Sequence, residues 1–392
     1  MARGSFEKRE FELRLTRTKT AMGKAGLDLL VICDPANMDY LTGYKGWSFY
    51  VPQCILVHCD EDMPVWIGRL MDAGAARLST WLPDGHVIPY SDIYVQSRER
   101  HPMDFVADQI RARGWEKARI GLEMDAYYFS GRAADTIRKA LPDARFSDCD
   151  HLVNWVRIIK SEPEIELMQQ AGQLAEAAMQ AAFDTIREGA RQCDSVGEIY
   201  KAGISGIREF GGEYTALCPM LPTSEGTATP HITWSDDLFK RGEPTILELA
   251  GSRLGYHAPI ARTLHLGPPP QKLADTANIV IEGMHAALEA AIPGALAEEV
   301  EAEWREVILK YGLEKESRIG YSIGLGYPPD WGEHTVSFRP GDKTILQENM
   351  TFHCIPGMWL DDWGFEVSTA FRVTANGAVP FYNFPEELFV RD

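Results

Sequence analysis

The stretch Ile246–Thr263, ILELAGSRLGYHAPIART, decides how the rest of the chain is read. Two apolar runs flank a short polar turn with Gly255 in it, and that pattern predicts a β-hairpin. Glu248 sits inside the first run. An arbitrary glutamate is a solvated surface residue; one embedded in an apolar strand is a candidate for function. In the second run Tyr256 and His257 follow Gly255, and strand alternation turns one of the pair inward.

At 392 residues the chain is expected to hold two domains, 1–150 and 151–392. The net charge of -18 argues against a nucleic-acid or anionic-membrane surface, and it suits either plain solubility or a cationic or zwitterionic small substrate. Seven scattered cysteines without a C-x-x-C pair point to reduced thiols in a cytoplasmic protein. The N-terminal MARGSFEKREFELRL is charged, and nowhere do about 18 apolar residues run together, so no signal or membrane segment is expected.

Before the hairpin, an amphipathic helix is expected from Phe6 to Ala25 and strands at LDLLVIC, QCILVHC, VWIGRL, HVIPY and RIGLEM. Helices near Met71–Trp81, Pro102–Gly114 and Gly131–Leu141 alternate with these strands, which implies a largely parallel α/β domain. DPANMDYLTGYKGWSFY reads as an aromatic-rich loop, with Trp47 and Tyr50 as candidate faces for a ligand. Ser161-x-x-Glu164 forms a capping box opening a long helix, and a second helix follows from Val196 to Phe210. A helical block from Leu273 to Leu313 and a strand-rich finish complete an α+β domain, with Gly324-x-Gly326 read as a close-packed turn.

The hairpin, together with R-x-I-K-S-x-x-E-I at Arg157–Ile165, resembles the pita-bread family of metallopeptidases, prolidases and creatinases. The resemblance spans nearly the whole chain. It implies an α/β N-terminal domain and a pita-bread catalytic domain whose metallopeptidase members hold two metal ions. The five ligand positions of that family fall here on Glu248, Pro259, Tyr321, Ile355 and, near the last strand, Ser368, with Glu366 just upstream. One carboxylate does not make a dinuclear site, so neither metal nor other cofactor is expected. His231 holds the register of the creatinase branch's catalytic base, whereas that branch's guanidinium-binding glutamates fall on Ala261 and Ile355 and its carboxylate-binding arginine on Gly332 or Glu333.

The blocks YHAPIART, GYSIGLGYPPDWGEH and TFHCIPGMWLDDWGFEVS are similar to the metal-free, ectoine-hydrolysing branch of the family. That resemblance implies a homodimer acting on ectoine and 5-hydroxyectoine through a covalent glutamyl intermediate. A cyclic amidinium asks for a carboxylate and aromatic faces, and a carboxylate over its central carbon can also attack it. Glu366, Glu333 and Glu248 are the candidate nucleophiles, and His231 is the candidate proton carrier. Tyr321, Asp330, Trp331, His353, Trp359 and Trp363 are further candidates around the ring. Arg262 is expected to be a structural ion-pair member. A metal-dependent Xaa-Pro peptidase and a catalytically inactive binding module are the alternative readings.

Overall fold

The computed structural model describes residues 6–392, and the chain divides by its contacts into two units, Met1–Arg157 and Ile158–Asp392. The first unit runs α1 (Lys8–Ala25), β1 (Leu29–Ile32), α2 (Pro35–Thr42), β2 (Cys54–His58), β3 (Val65–Arg69), α3 (Ala73–Ser79), β4 (Val87–Tyr90), α4 (Pro102–Ala112), β5 (Arg119–Leu122), α5 (Gly131–Ala140), β6 (Arg145–Asp148) and α6 (Leu152–Val156). Its strands form one sheet in the order β4-β3-β2-β1-β5-β6. Leu29, Val31, Ile67 and Ile120 from the sheet meet Ile110 and Ile137 from helices in its core.

This α/β unit is the expected one, with two local differences. The sheet is mixed, since β1–β2 and β2–β3 pair antiparallel while the other neighbours are parallel. The link between β2 and β3 is too short for a parallel crossover, which takes roughly a dozen residues. The segment read as an aromatic loop begins instead as α2. Asp34 caps it by accepting hydrogen bonds from the Ala36 and Asn37 amides, and Pro35 occupies the first turn.

The second unit runs α7 (Glu162–Thr185), α8 (Gln192–Ser205), β7 (Pro244–Arg253), β8 (Tyr256–Leu266), α9 (Gln271–Ala290), α10 (Ala297–Lys310), β9 (Gly320–Tyr327), β10 (Asp330–Ser337), β11 (Thr351–Cys354), β12 (Gly357–Trp359), β13 (Gly364–Glu366), β14 (Thr369–Thr374), β15 (Gly377–Pro380) and β16 (Phe389–Arg391). Its main sheet has the order β15-β14-β11-β9-β8-β16, with β10 added to β9 and β7 to β8, while β12 and β13 pair separately. Helices α9 and α10 cover it through Val280, Met284, Trp304 and Ile308, packed in one cluster with Phe352 and Phe371. The α+β expectation holds here.

β7 and β8 are the hairpin, closed by Leu254 and Gly255 at φ 49° and 84°. Two successive positive φ values make the tight turn whose twist matches the strands it joins. Gly251 lets α7 lie directly on β7, because a Cβ there would stand 2.0 Å from the Ala171 carbonyl oxygen. Leu247, Leu249 and Gly251 therefore face α7, and Ile246, Glu248 and Ala250 face the other way. Gly324 and Gly326 are not a turn but lie within β9. A Cβ on Gly324 would meet Glu333 Oε1 at 2.6 Å, so close approach is the reason for that glycine. All seven cysteines are free, and among the described residues no helix is long and apolar enough to cross a membrane.

Candidate active site

Cross-strand pairing carries the Glu248 face of β7 onto β8: Ile246 pairs with Thr263, Glu248 with Ala261 and Ala250 with Pro259. Two of these β8 positions then build the wall opposite. The Thr263 hydroxyl accepts the Glu366 amide at 3.0 Å and donates to the Glu366 carbonyl at 2.8 Å. The Ala261 amide donates to Ser368 Oγ at 2.6 Å, and the Ser368 amide returns a bond to the Ala261 carbonyl at 3.1 Å. Arg262 points away and donates to the backbone carbonyls of Ala261, Ser368, Phe384 and Pro385. It is structural, but through carbonyls, not through the ion pair expected of it.

The result is a pair of buried carboxyl groups. Glu248 is 6% exposed and Glu366 0%. Both Glu366 carboxyl oxygens are buried without a hydrogen-bond partner. Burial first, then the charge of Asp330, pushes Glu248 up to about 7. Burial and the neighbouring Glu248 push Glu366 well above the carboxylate range, against the pull of Lys315. Of the two, Glu248 gives up its proton first, and Glu366 keeps its own. Lys315, itself buried, donates to the Gly357 carbonyl at 2.8 Å and lies 3.8 Å above the Trp359 ring. Burial lowers its ammonium to about 8 despite Glu366.

Tyr321 closes another side. Its hydroxyl oxygen accepts Trp331 Nε1–H at 2.9 Å and lies 3.1 Å from His353 Nδ1, while His353 Nε2 lies 2.7 Å from Ser368 Oγ. Burial and the guanidinium groups of Arg262 and Arg318 push the His353 imidazole down to about 3, so the ring is neutral. We assign the ring hydrogen to Nδ1, facing Tyr321, with Ser368 Oγ accepting the Ala261 amide and giving its own hydrogen to Nε2. Tyr321 is left with its own hydrogen to give. Burial and the Glu248 charge hold the phenol well above its usual range, so it stays a donor.

The remaining candidates are spread more widely. Glu333 does not join the carboxyl pair: it is buried and meets Lys160 Nζ at 2.6 Å. Asp330 accepts from the Gly332 amide at 2.9 Å and pairs with His334 at 3.0 Å; these contacts outweigh burial and keep it below the usual range. His257 shares the Glu248 face, but Nε2 accepts the Ala216 amide and Nδ1 donates to the Gly255 carbonyl. Tyr256 faces α7 and donates to Glu164 at 2.8 Å. Trp331 is fully buried behind Tyr321, and Trp363 lies beneath the Lys272 ammonium. Trp47 and Tyr50 are exposed on the first unit, 56% and 62%.

His231 is exposed, on the segment preceding β7. The next residue, Ile232, accepts the Leu221 amide, and Met220 exchanges backbone hydrogen bonds with Glu248 at 2.8 and 3.1 Å. Its loop is thereby tied to the edge of β7 at the carboxyl pair. Lys315 and Arg318, just before β9, are site residues that reading the sequence missed; no local motif marks them.

The family's ligand positions present one carboxylate, one phenol, one hydroxyl, a proline and an isoleucine, which does not fit a dinuclear centre of hard or borderline ions. Among the described residues, the one group of three or more His, Cys, Asp and Glu side chains with converging ligand atoms is His58, Cys59 and Asp60, on the first unit.

The chain matches the metallopeptidase family M24 over residues 166–375 and the creatinase/prolidase N-terminal domain over residues 14–159. It is 44% identical over 393 residues to an ectoine hydrolase of Halomonas elongata, covering 98% of each chain. It is 26% identical to an Xaa-Pro dipeptidase of Lactobacillus helveticus, covering 92% of this chain and 94% of that one. A prolidase structure from Thermococcus sibiricus shares the fold with a TM-score of 0.84 at 21% identity, covering 99% of this chain and 100% of that one.

Proposed function

The chain belongs to the metallopeptidase family M24, and from that premise we propose that it is a metal-independent hydrolase opening the cyclic amidinium ring of ectoine, and of 5-hydroxyectoine, to N-acetyl-2,4-diaminobutyrate and its hydroxylated counterpart. The observation that carries this reading is the unpartnered carboxyl of Glu366 beside Glu248, buried where metal-binding relatives need further ligands. A delocalised cation with N–H edges satisfies those oxygens, and its charge offsets the cost of ionising the pair. The 44% identity to an ectoine hydrolase supports the same substrate.

In this mechanism ionised Glu248 adds an oxygen to the amidinium carbon, while Glu366 takes an N–H of the ring and Tyr321 directs its hydroxyl hydrogen to Glu248. As the new C–O bond forms, one ring C–N bond breaks and the departing nitrogen takes a proton from His231. Water then adds to the same carbon and returns a proton to His231. The C–O bond to Glu248 breaks, the acetamide is left, and the second proton of the water makes the amine an ammonium group. Of the three glutamates, Glu248 suits the nucleophile best, since it ionises before Glu366 and is not tied up as Glu333 is. The same reading includes a cytoplasmic homodimer, supported by the free cysteines and by the resemblance to the ectoine-hydrolysing branch.

Incubation with ectoine followed by proton NMR tests the assignment: the ring methyl signal should give way to that of an acetamide. Binding without turnover would point to an inactive binding module. Metal-stimulated cleavage of Xaa-Pro dipeptides, with ectoine untouched, would point to a peptidase.

A further inference from the structure

The proposed substrate is a zwitterion, and the carboxyl pair answers only its cationic half. Its carboxylate, one ring nitrogen and one carbon away from the amidinium carbon, needs a cation near Tyr321. The cations around the site can be sorted by what already holds them. Lys160 is paired with Glu333, and Arg262 serves four backbone carbonyls. Lys315 is seated on Trp359 beside Glu366, so its charge faces the carboxyl pair.

Arg318 is different. Its guanidinium lies 4.4 Å above the Tyr321 ring, and Nη1 donates to Ser337 Oγ at 3.0 Å. The stack and the single hydrogen bond fix its plane while leaving most of its five N–H donors unused. No ion pair engages it among the described residues. It is exposed and lines an open cleft of about 590 Å³ with Lys315, Trp359, Arg339 and the acidic Glu314 and Glu316, and it is the arginine of that cleft stacked on Tyr321. Its charge also reaches Tyr321, Asp330 and His353. Tyr321 thus carries the reaction centre at its hydroxyl end and a free, oriented cation on its ring face.

We propose that Arg318 receives the carboxylate of the substrate and is the residue that selects a carboxylated ring. This rests on the ectoine reading above, and the test separates the two. Kinetics of Arg318→Gln and Arg318→Ala are compared with the unaltered enzyme on ectoine and on 2-methyl-1,4,5,6-tetrahydropyrimidine, the same ring without its carboxylate. The ratio of kcat/KM for ectoine to that for the bare ring should fall by roughly 10- to 150-fold, the range of a charged hydrogen bond, mainly through KM. Equal losses on both rings would make Arg318 a support for Tyr321 and overturn the proposal, as would an unchanged ratio. Failure of both variants to fold would likewise mark a structural role. If the unaltered enzyme opens neither ring, the substrate reading itself falls, and this inference with it.

Discussion

Glu248 and Glu366 are two buried acids side by side, and in the proposed mechanism their unequal ionisation sets most of what the site does. If ionised Glu248 is the nucleophile, kcat/KM should rise with pH up to about 7 and then level off, because the free enzyme must lose that proton. Asp330 contributes to the elevation, so Asp330→Asn should move the acid limb to lower pH; a limb that stays put would remove Glu248 from that titration. Glu248→Gln should lower kcat on the order of 10³-fold or more, and rapid-quench mass spectrometry of the unaltered enzyme should find the adduct on Glu248. The same substitution has a stability signature of known sign. The folded-state value of Glu248 lies above its ordinary 4.5, so its stabilising contribution is complete below about 4.5 and is lost as pH rises through about 7. Glu248→Gln should therefore be more stable than the unaltered protein at pH 8, by about 2–3 kcal/mol in urea unfolding, and lose that advantage at pH 4. His231→Ala should lower kcat by about 10²–10⁴-fold, and near-normal turnover would take His231 out of the proton transfers.

At the scale of elements, the β7–β8 hairpin positions both acids, one by its own strand and the other through the Thr263 clamp on Glu366. Gly251 sets how closely α7 backs that hairpin. Gly251→Ala places a methyl group against the Ala171 carbonyl, and should destabilise the protein by about 1–3 kcal/mol in chemical denaturation and lower turnover with it. This element was legible from sequence because a hairpin is local: two apolar runs and a turn able to take positive φ lie within eighteen residues. The cap of α2 was also written locally, in Asp34-Pro35, but the aromatic residues after it drew the reading toward a loop. Alternation told that Tyr256 and His257 face opposite ways, yet not which side holds α7. Glu333 shows the same limit, since only the fold brings Lys160 to it across 173 residues of chain. Arg318 and Lys315 belong to the site through contacts with Tyr321, Gly357 and Trp359, and no spacing rule reaches that far.

For the molecule as a whole, the proposed metal independence requires a site that holds together without an ion. In the proposed reading the positions that the family resemblance gives to metal ligands do without an ion: Pro259 is apolar, and Ser368 and Tyr321 are joined through His353 into a hydrogen-bonded chain anchored on the Ala261 amide. The face is thus cross-linked by neutral bonds, and in the proposed function Glu248 and Glu366 are left for an organic cation. Two consequences follow for the purified protein. Prolonged treatment with a strong chelator should change neither the melting temperature nor ectoine turnover, and metal analysis of protein made without chelator should find well below one equivalent of manganese, iron, cobalt or zinc. Ectoine, by contrast, should raise the melting temperature, because it binds only the folded state and supplies the positive charge the acid pair lacks. Loss of turnover on chelation, restored by one added divalent metal, would mean that Glu248 still ligates an ion and that the neutral chain is its outer support.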